Sequence, residues 1–318
     1  MKIFSKSRYA ADNSVVMGSD MGKRLGTLVA TVSGLLVAGL FIFAWMLASD
    51  IMHPSYQCSE EHFVYCGDPS QLELPFEDIS FPSDDGLRLS AWYVPAADSQ
   101  KTVIFVHGHG ADRREGMRWF KATHQAGFNI LALDLRHSGL SQGGFSSMGF
   151  YEKNDVIAAV DYLQRRSGNH SVGVFGVSMG AATSVLAMVA DPRIQAGVFE
   201  AGWSNLNDLY REIIEQHLGV PSFPLLPVTR WLLELRTGLD MGALNPEDRL
   251  AEVAPRPVFI IHCTGDGLID FSHGERNYAA ANEPKQLWRS PCQTHARAWQ
   301  SDPETIEKRV TQYFARYL

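Results

Sequence analysis

Residues 171–190 read SVGVFGVSMGAATSVLAMVA, an apolar run that changes character in its middle. Its first part, 172–175, is short and apolar, as a buried strand is. Its last part, 179–190, is an unbroken series of small apolar residues of helical length. Between them lies Gly176-Val177-Ser178-Met179-Gly180, the pattern G-x-S-x-G. A strand before and a helix after supply the context that gives this pattern meaning. A turn that tight needs neighbours almost without side chains, hence Gly176 and Gly180. It would hold the Ser178 hydroxyl above the carboxyl end of a sheet, at a helix N-terminus, where free N–H groups and the helix dipole favour a developing negative charge. The competing reading is a serine that merely caps a helix.

The segments on either side repeat the alternation. Strand-like runs at 76–81 and 87–94 flank Asp85-Gly86, a hairpin signal. Further strands are expected at 102–106, 128–133, 172–175, 196–199, 258–261 and 286–288, with helices at 113–125, 155–165 and 179–190 among them. Short apolar strands alternating with helices predict a mostly parallel sheet covered on both faces, an α/β fold. Between Phe199 and Val258 nearly sixty residues contain no strand pattern but include PSFPLLPVTRWLLEL. An insertion there reads as a lid or pocket wall, about 203–254, with Trp203 and Phe223 as candidate pocket residues; plain loop and helix packing is the alternative.

A serine hydroxyl is a weak nucleophile until a base takes its proton, and the base needs an orienting acid. In a strand–turn–helix setting the order is serine, acid, histidine, each after a strand. VFIIHC at 258–263 is followed by Thr264-Gly265-Asp266, and QLWRS at 286–290 by Pro291-Cys292-Gln293-Thr294-His295. Asp266 is therefore the expected acid and His295 the expected base, with Asp270 on the same loop as the rival acid. His262, inside a strand, and His273, opening a helix, read as satisfied structural histidines. The oxyanion needs two fixed donors: the N–H of Met179 and a main-chain N–H from the loop His107-Gly108-His109-Gly110, assigned to His109. On this reading the His109 imidazole has no part, and His107 pins the loop.

Residues 25–47, LGTLVATVSGLLVAGLFIFAWML, carry no charge over 23 positions. As a helix they span about 35 Å, enough for the ~30 Å hydrocarbon layer. A cleaved signal peptide has an apolar core of only about 7–15 residues and a small-x-small cleavage site, which Met46-Leu47-Ala48-Ser49 does not provide. Lys2, Lys6, Arg8, Lys23 and Arg24 precede the run, and Asp50, Glu60 and Glu61 follow it. The positive-inside rule keeps the N-terminus in the cytoplasm and exports the rest. Ala30, Gly34 and Ala38 form a small-residue row that would let two such helices approach, though oligomeric state is not otherwise specified. Twenty-eight Lys+Arg against 35 Asp+Glu leave a net charge of −7, and no basic block suits nucleic acid. Apolar residues at 45% and charged residues at 20% exclude disorder. All four cysteines fall on the exported side. Cys58 and Cys66 are expected to form a disulfide; the alternative, metal ligation with His62, lacks a fourth ligand.

Taken together, HGHG at 107–110, DLRHSGLSQGG at 134–144, GVSMG at 176–180, HCTGDGLIDFSHG at 262–274 and THARAW at 294–299 resemble the α/β-hydrolase superfamily. More narrowly they are similar to single-pass, membrane-anchored ABHD-type serine hydrolases, which share their module with acylaminoacyl and prolyl peptidases. The resemblance covers roughly residues 75–318. It implies an eight-stranded, mostly parallel sheet, a lid between the sixth and seventh strands, hydrolysis through an acyl-enzyme, and neither cofactor nor metal. Two positions depart from the pattern: Cys263 and Thr294 stand where glycine is usual. Cys263 precedes Asp266 by three residues and Cys292 precedes His295 by three, so a disulfide between them would tie the two loops together; two buried free thiols are the alternative. The expected division is a cytoplasmic N-terminus at 1–24, an anchor at 25–47, a linker at 48–75 and an extracytoplasmic hydrolase domain at 76–318. The expected substrate is an acyl ester of lipid-like or hydrophobic character, met at the membrane. The alternatives are a peptidase with the same triad and a non-catalytic binding protein of the same fold.

Overall fold

The apolar runs around the serine turn form the middle of an eight-stranded sheet in the computed structural model, which describes residues 14–55, 58–168 and 171–318. The strands are β1 (Glu77–Pro82), β2 (Arg88–Val94), β3 (Lys101–Val106), β4 (Asn129–Asp134), β5 (Ser171–Val177), β6 (Ile194–Glu200), β7 (Val258–Cys263) and β8 (Lys285–Ser290), ordered β1-β2-β4-β3-β5-β6-β7-β8. β1 pairs antiparallel with β2, and β2 with β4; every other neighbouring pair is parallel. All six residues of β4 and of β7 are buried, because helices cover both faces, and this is why those strands read as continuous apolar runs. β8 lies at the edge, and its mixed sequence KQLWRS leaves three positions half-exposed and two exposed.

Two cores result. One holds α3 (Glu152–Ser167) and α4 (Met179–Ala190) against the sheet, beneath the segment between β6 and β7. The other, on the opposite face, holds α2 (Met117–Gln125) and α8 (Pro303–Tyr317). The β6–β7 segment, expected as an insertion, carries α5 (Leu206–Glu212) and α6 (Leu225–Thr237), and α7 (Phe271–Ala280) follows β7.

The N-terminal apolar helix, α1, runs from Ser14 to Met52, past both ends of the charge-free stretch. It is long and apolar enough to cross a membrane. Its last turns are not free of the domain: Ala44 and Ala48 are fully buried and Met52 nearly so. These small residues, four apart on one face, let α6 approach closely. Phe41 meets Trp231 edge-on at 6.4 Å, the Arg236 guanidinium lies 4.1 Å over the Trp45 ring, and Arg236 donates to Ser49 Oγ at 2.9 Å. The region read as a linker is packed as well: Phe63 is buried, and Leu72 and Leu74 belong to the second core. Cys58 and Cys66 are joined by a disulfide with Cα atoms 5.7 Å apart, and Cys263 and Cys292 by another at 4.9 Å.

Candidate active site

Ser178 has φ 54° and ψ −118°, a conformation costly for any residue with a β-carbon and one the surroundings must impose. Its N–H donates to the Glu200 carbonyl at the end of β6, 2.8 Å away. The flanking glycines are required by close approach. A β-carbon on Gly176 would overlap the Gly180 carbonyl, and one on Gly180 would overlap the carbonyls of Val106 and His107. The turn thus wedges the serine between β3 and β6, with its hydroxyl beyond the carboxyl end of β5.

The loops after β7 and β8 bring the expected partners to it. His295 Nε2 is 2.9 Å from Ser178 Oγ, and His295 Nδ1 is 2.8 Å from Asp266 Oδ2. With Nδ1–H donating to the carboxylate, Nε2 is left to accept the serine proton. Asp266 Oδ1 accepts from the N–H groups of Leu268 and Ile269 at 2.9 and 3.0 Å. Burial alone would raise this carboxyl's pKa; the His295 bond and the two amides outweigh it and hold the group below the ordinary carboxylate range. Asp270, the rival, is exposed and caps α7 by accepting from the Ser272 N–H at 2.9 Å. His262 and His273 are fully buried: His262 bonds the Ile269 carbonyl, and His273 bridges Ser204 and Glu212. Beyond the strand ends the two loops stay in register through Thr264 N–H to Ser290 O at 2.8 Å and Gly265 N–H to Cys292 O at 3.0 Å, beside the Cys263–Cys292 bond. Thr294 is exposed, so its side chain has room, and the positive φ of this loop falls on Ala296 instead.

Met179 opens α4, so its N–H has no preceding turn to bond. In the loop after β3, Gly108 lies against the serine, its β-position 3.2 Å from Ser178 Cβ. The Gly108 N–H is already committed to Glu115 Oε2 at 2.6 Å, which leaves the amides of His109 and Met179 as the candidate oxyanion donors. His107 accepts from the Leu135 N–H and donates to the Gly108 carbonyl, joining this loop to the one after β4. The His109 ring, given no part by sequence, donates from Nε2 to the Ile51 carbonyl at 2.8 Å. Burial pushes that imidazole below its ordinary pKa, despite the opposing effect of the Ile51 bond, which suits a neutral ring with one donor. The end of α1 is thereby fastened to the oxyanion loop.

Three supporting residues escaped the sequence reading. Arg118 and Glu200 form a buried ion pair at 3.4 Å, and Arg118 also donates to the Ala296 carbonyl at 3.4 Å. Glu200 accepts from the Ala298 N–H at 3.2 Å. Glu115 is buried, yet its carboxyl sits below the ordinary range, because the His62 bond, the Arg118 charge and the Gly108 amide together overcome desolvation. This buried array links the oxyanion loop, the floor of the serine turn and the His295 loop. The one available signal is Glu200, a charge that ends the apolar run Ala196–Phe199.

A cavity of about 320 Å³ opens over Ser178. Its walls are Leu47, Asp50 and Ile51 of α1, His109, Met148, Trp203, and apolar residues of the β6–β7 segment. Trp203 lines it, held by a bond from Nε1 to the Leu244 carbonyl at 3.0 Å. Phe223 does not: it is 77% exposed on the turn before α6 and is absent from the lining, because the proline-rich turn faces it outward.

Known proteins share this architecture. The esterase Pf2001 of Pyrococcus furiosus superimposes with a TM-score of 0.68 at 25% identity, covering 84% of this chain and 98% of the esterase. The uncharacterized protein YqkD of Bacillus subtilis is 28% identical over 73% of this chain and 77% of its own. The alpha/beta hydrolase domain-containing protein WAV2 of Arabidopsis thaliana is 27% identical over 78% and 82%. The sequence profile of the alpha/beta hydrolase fold matches residues 101–291, from the first residue of β3 to the loop beyond β8. The chain belongs to the alpha/beta hydrolase fold family, and it is a hydrolase of esterase-like architecture.

Proposed function

We propose that this protein is a serine hydrolase, anchored in the membrane by α1, that cleaves acyl esters of apolar character. The observation that carries the reading is the position of His295, within hydrogen-bond reach of Ser178 Oγ at 2.9 Å on one side and Asp266 Oδ2 at 2.8 Å on the other. As Ser178 Oγ attacks the ester carbonyl, its proton passes to His295 Nε2, and Asp266 stabilises the imidazolium through Nδ1–H. The carbonyl oxygen takes the negative charge and is held by the amides of Met179 and His109. Collapse of the tetrahedral intermediate expels the alcohol, which takes the proton from His295, leaving an acyl-serine. Water then attacks, again with His295 as base, releasing the acid and restoring Ser178.

Preference for esters is supported by the apolar lining of the cavity and by the likeness to the Pyrococcus furiosus esterase. The anchor is supported by the length of α1, by the basic residues before it and acidic residues after it, and by two disulfides, which persist outside the cytoplasm. The test is turnover of a p-nitrophenyl acyl ester series against aminoacyl p-nitroanilides. Faster ester cleavage, rising with acyl length, is expected; faster anilide cleavage would make the protein a peptidase.

A further inference from the structure

We propose that α6 and the last turns of α1 lie together within the membrane leaflet nearest the hydrolase domain, so that the Ser178 pocket takes an amphiphilic ester directly from the bilayer. This rests on the anchor reading, and it adds to it a second membrane-embedded element and a route for the substrate.

Depth is the first argument. The charge-free stretch ends at Leu47, and the next charge is Asp50. Phe41 lies six residues before Leu47, hence about 9 Å deeper along a helix. Trp231 of α6 packs on Phe41, and Arg236 stacks on Trp45. If α1 spans the bilayer, α6 reaches below its surface, because the two helices touch along that length.

Side-chain chemistry agrees. Trp231 and Leu235, four apart on one face of α6, are 52% and 65% exposed, and Phe223 in the turn before it is 77% exposed. An apolar patch of this kind, continuous with the exposed apolar surface of α1, is out of place in water. The charged groups on α6 are accommodated: Arg230 and Glu234 pair at 2.9 Å, and Arg236 lays its guanidinium over Trp45 while reaching Ser49. Tryptophan with arginine is the pairing of an interfacial belt, ring in the headgroup region and charge toward water.

The same two helices wall the pocket. Leu47 and Ile51 of α1 and Leu226 and Thr229 of α6 line it with Ser178. Leu218 and Leu268, also in the lining, are 42% exposed. An acyl chain leaving the leaflet and entering past Leu218 and Leu268 would exchange one apolar setting for another.

The test uses the full-length protein in phosphatidylcholine vesicles. All four cysteines are in disulfides, so single cysteines can carry a nitroxide. Leu235→Cys is compared with Leu36→Cys in the charge-free stretch and Lys308→Cys on α8. The expected result is oxygen access with exclusion of a water-soluble nickel chelate at both 36 and 235, and the reverse at 308. Exclusion at 36 with chelate access at 235 overturns the proposal and leaves the anchor standing; chelate access at 36 overturns both. Independently, Trp231→Glu with Leu235→Glu should lower kcat/KM at least tenfold for p-nitrophenyl palmitate held in the vesicles, and less than twofold for soluble p-nitrophenyl acetate. Equal effects on the two substrates, or none, overturn it.

Discussion

Removing the Cys263–Cys292 bond is expected to cost much stability and little catalysis. The bond closes a segment with a sequence separation of 29. Loop-closure entropy for that length is about −12 cal/mol/K, or about 3.6 kcal/mol at 25 °C. Both sulfurs are buried, so alanines leave small voids worth about 1 kcal/mol more. A change of this size lowers Tm by about 7–9 °C. The loops that carry Asp266 and His295 nevertheless keep bonds that need no sulfur: Thr264 N–H to Ser290 O, Gly265 N–H to Cys292 O, and the amides of Leu268 and Ile269 on Asp266. Ester turnover by folded Cys263→Ala/Cys292→Ala protein at 25 °C should therefore stay within about threefold of wild type, since the reacting groups keep their positions. Urea unfolding followed by tryptophan fluorescence measures the first quantity and steady-state kinetics the second. The Cys58–Cys66 bond, with a separation of only 8, should be worth less, about 2.5 kcal/mol. A loss below about 1 kcal/mol for Cys263→Ala/Cys292→Ala would refute the entropic reasoning. So would a hundredfold fall in kcat, which would mean that the bond, not the backbone, sets the site.

Asp266→Asn should lower kcat by about 10,000-fold, since the amide favours the wrong imidazole tautomer, whereas Asp270→Ala should leave kcat within about twofold and cost about 1 kcal/mol through the lost α7 cap; steady-state kinetics beside thermal melts separate the two. His109→Ala should remove the tie between the oxyanion loop and Ile51 and lower kcat about fivefold, the equivalent of one net hydrogen bond, with His109→Gln recovering part of it. Four groups contribute to the pH dependence of stability with one sign. Burial holds His109 and His262 below the ordinary value of 6.5, so as pH falls below 6.5 the unfolded chain takes up protons that the native state refuses, and stability declines. Asp266 and Glu115, held below their ordinary values, add a second loss as pH falls further through the carboxylate range, because the native state gives up its stabilised anions. Asp155, raised by burial to about 7, and Asp134, also raised by burial, act in the opposite sense, so the test compares melting temperatures across pH 8 to 4 of wild type and His109→Gln/His262→Gln protein. The variant should lose less Tm, or gain more, between pH 7 and pH 5, and an identical profile would contradict it.

The parts of the fold most legible in the sequence are those whose signal is local. β3, β4, β5 and β7 are buried on both faces, so each announces itself as an apolar run ended by glycine or a polar residue. Ser178 is legible because a tight turn demands Gly176 and Gly180 at fixed offsets, and Asp266 and His295 because each follows a recognisable strand. Contacts between distant segments leave no such trace. Glu115 and Arg118 meet Glu200 only after folding, and nothing in the order of residues 113–125 points Arg118 inward. The packing of α1 on α6 was hidden for a different reason. Residues suited to lipid are also suited to another helix, and Ala44 and Ala48 look ordinary in either setting. Phe223 is the converse: an aromatic in a greasy insertion reads as a pocket residue, while the turn before α6 presents it outward.

Labelling with a fluorophosphonate, which reacts only with an activated serine, tests the central claim most directly. Full-length wild-type protein should take up one equivalent, mapped by peptide mass spectrometry to Ser178, and Ser178→Ala protein should take up none. Equal labelling of both proteins, or none of either, would contradict the account.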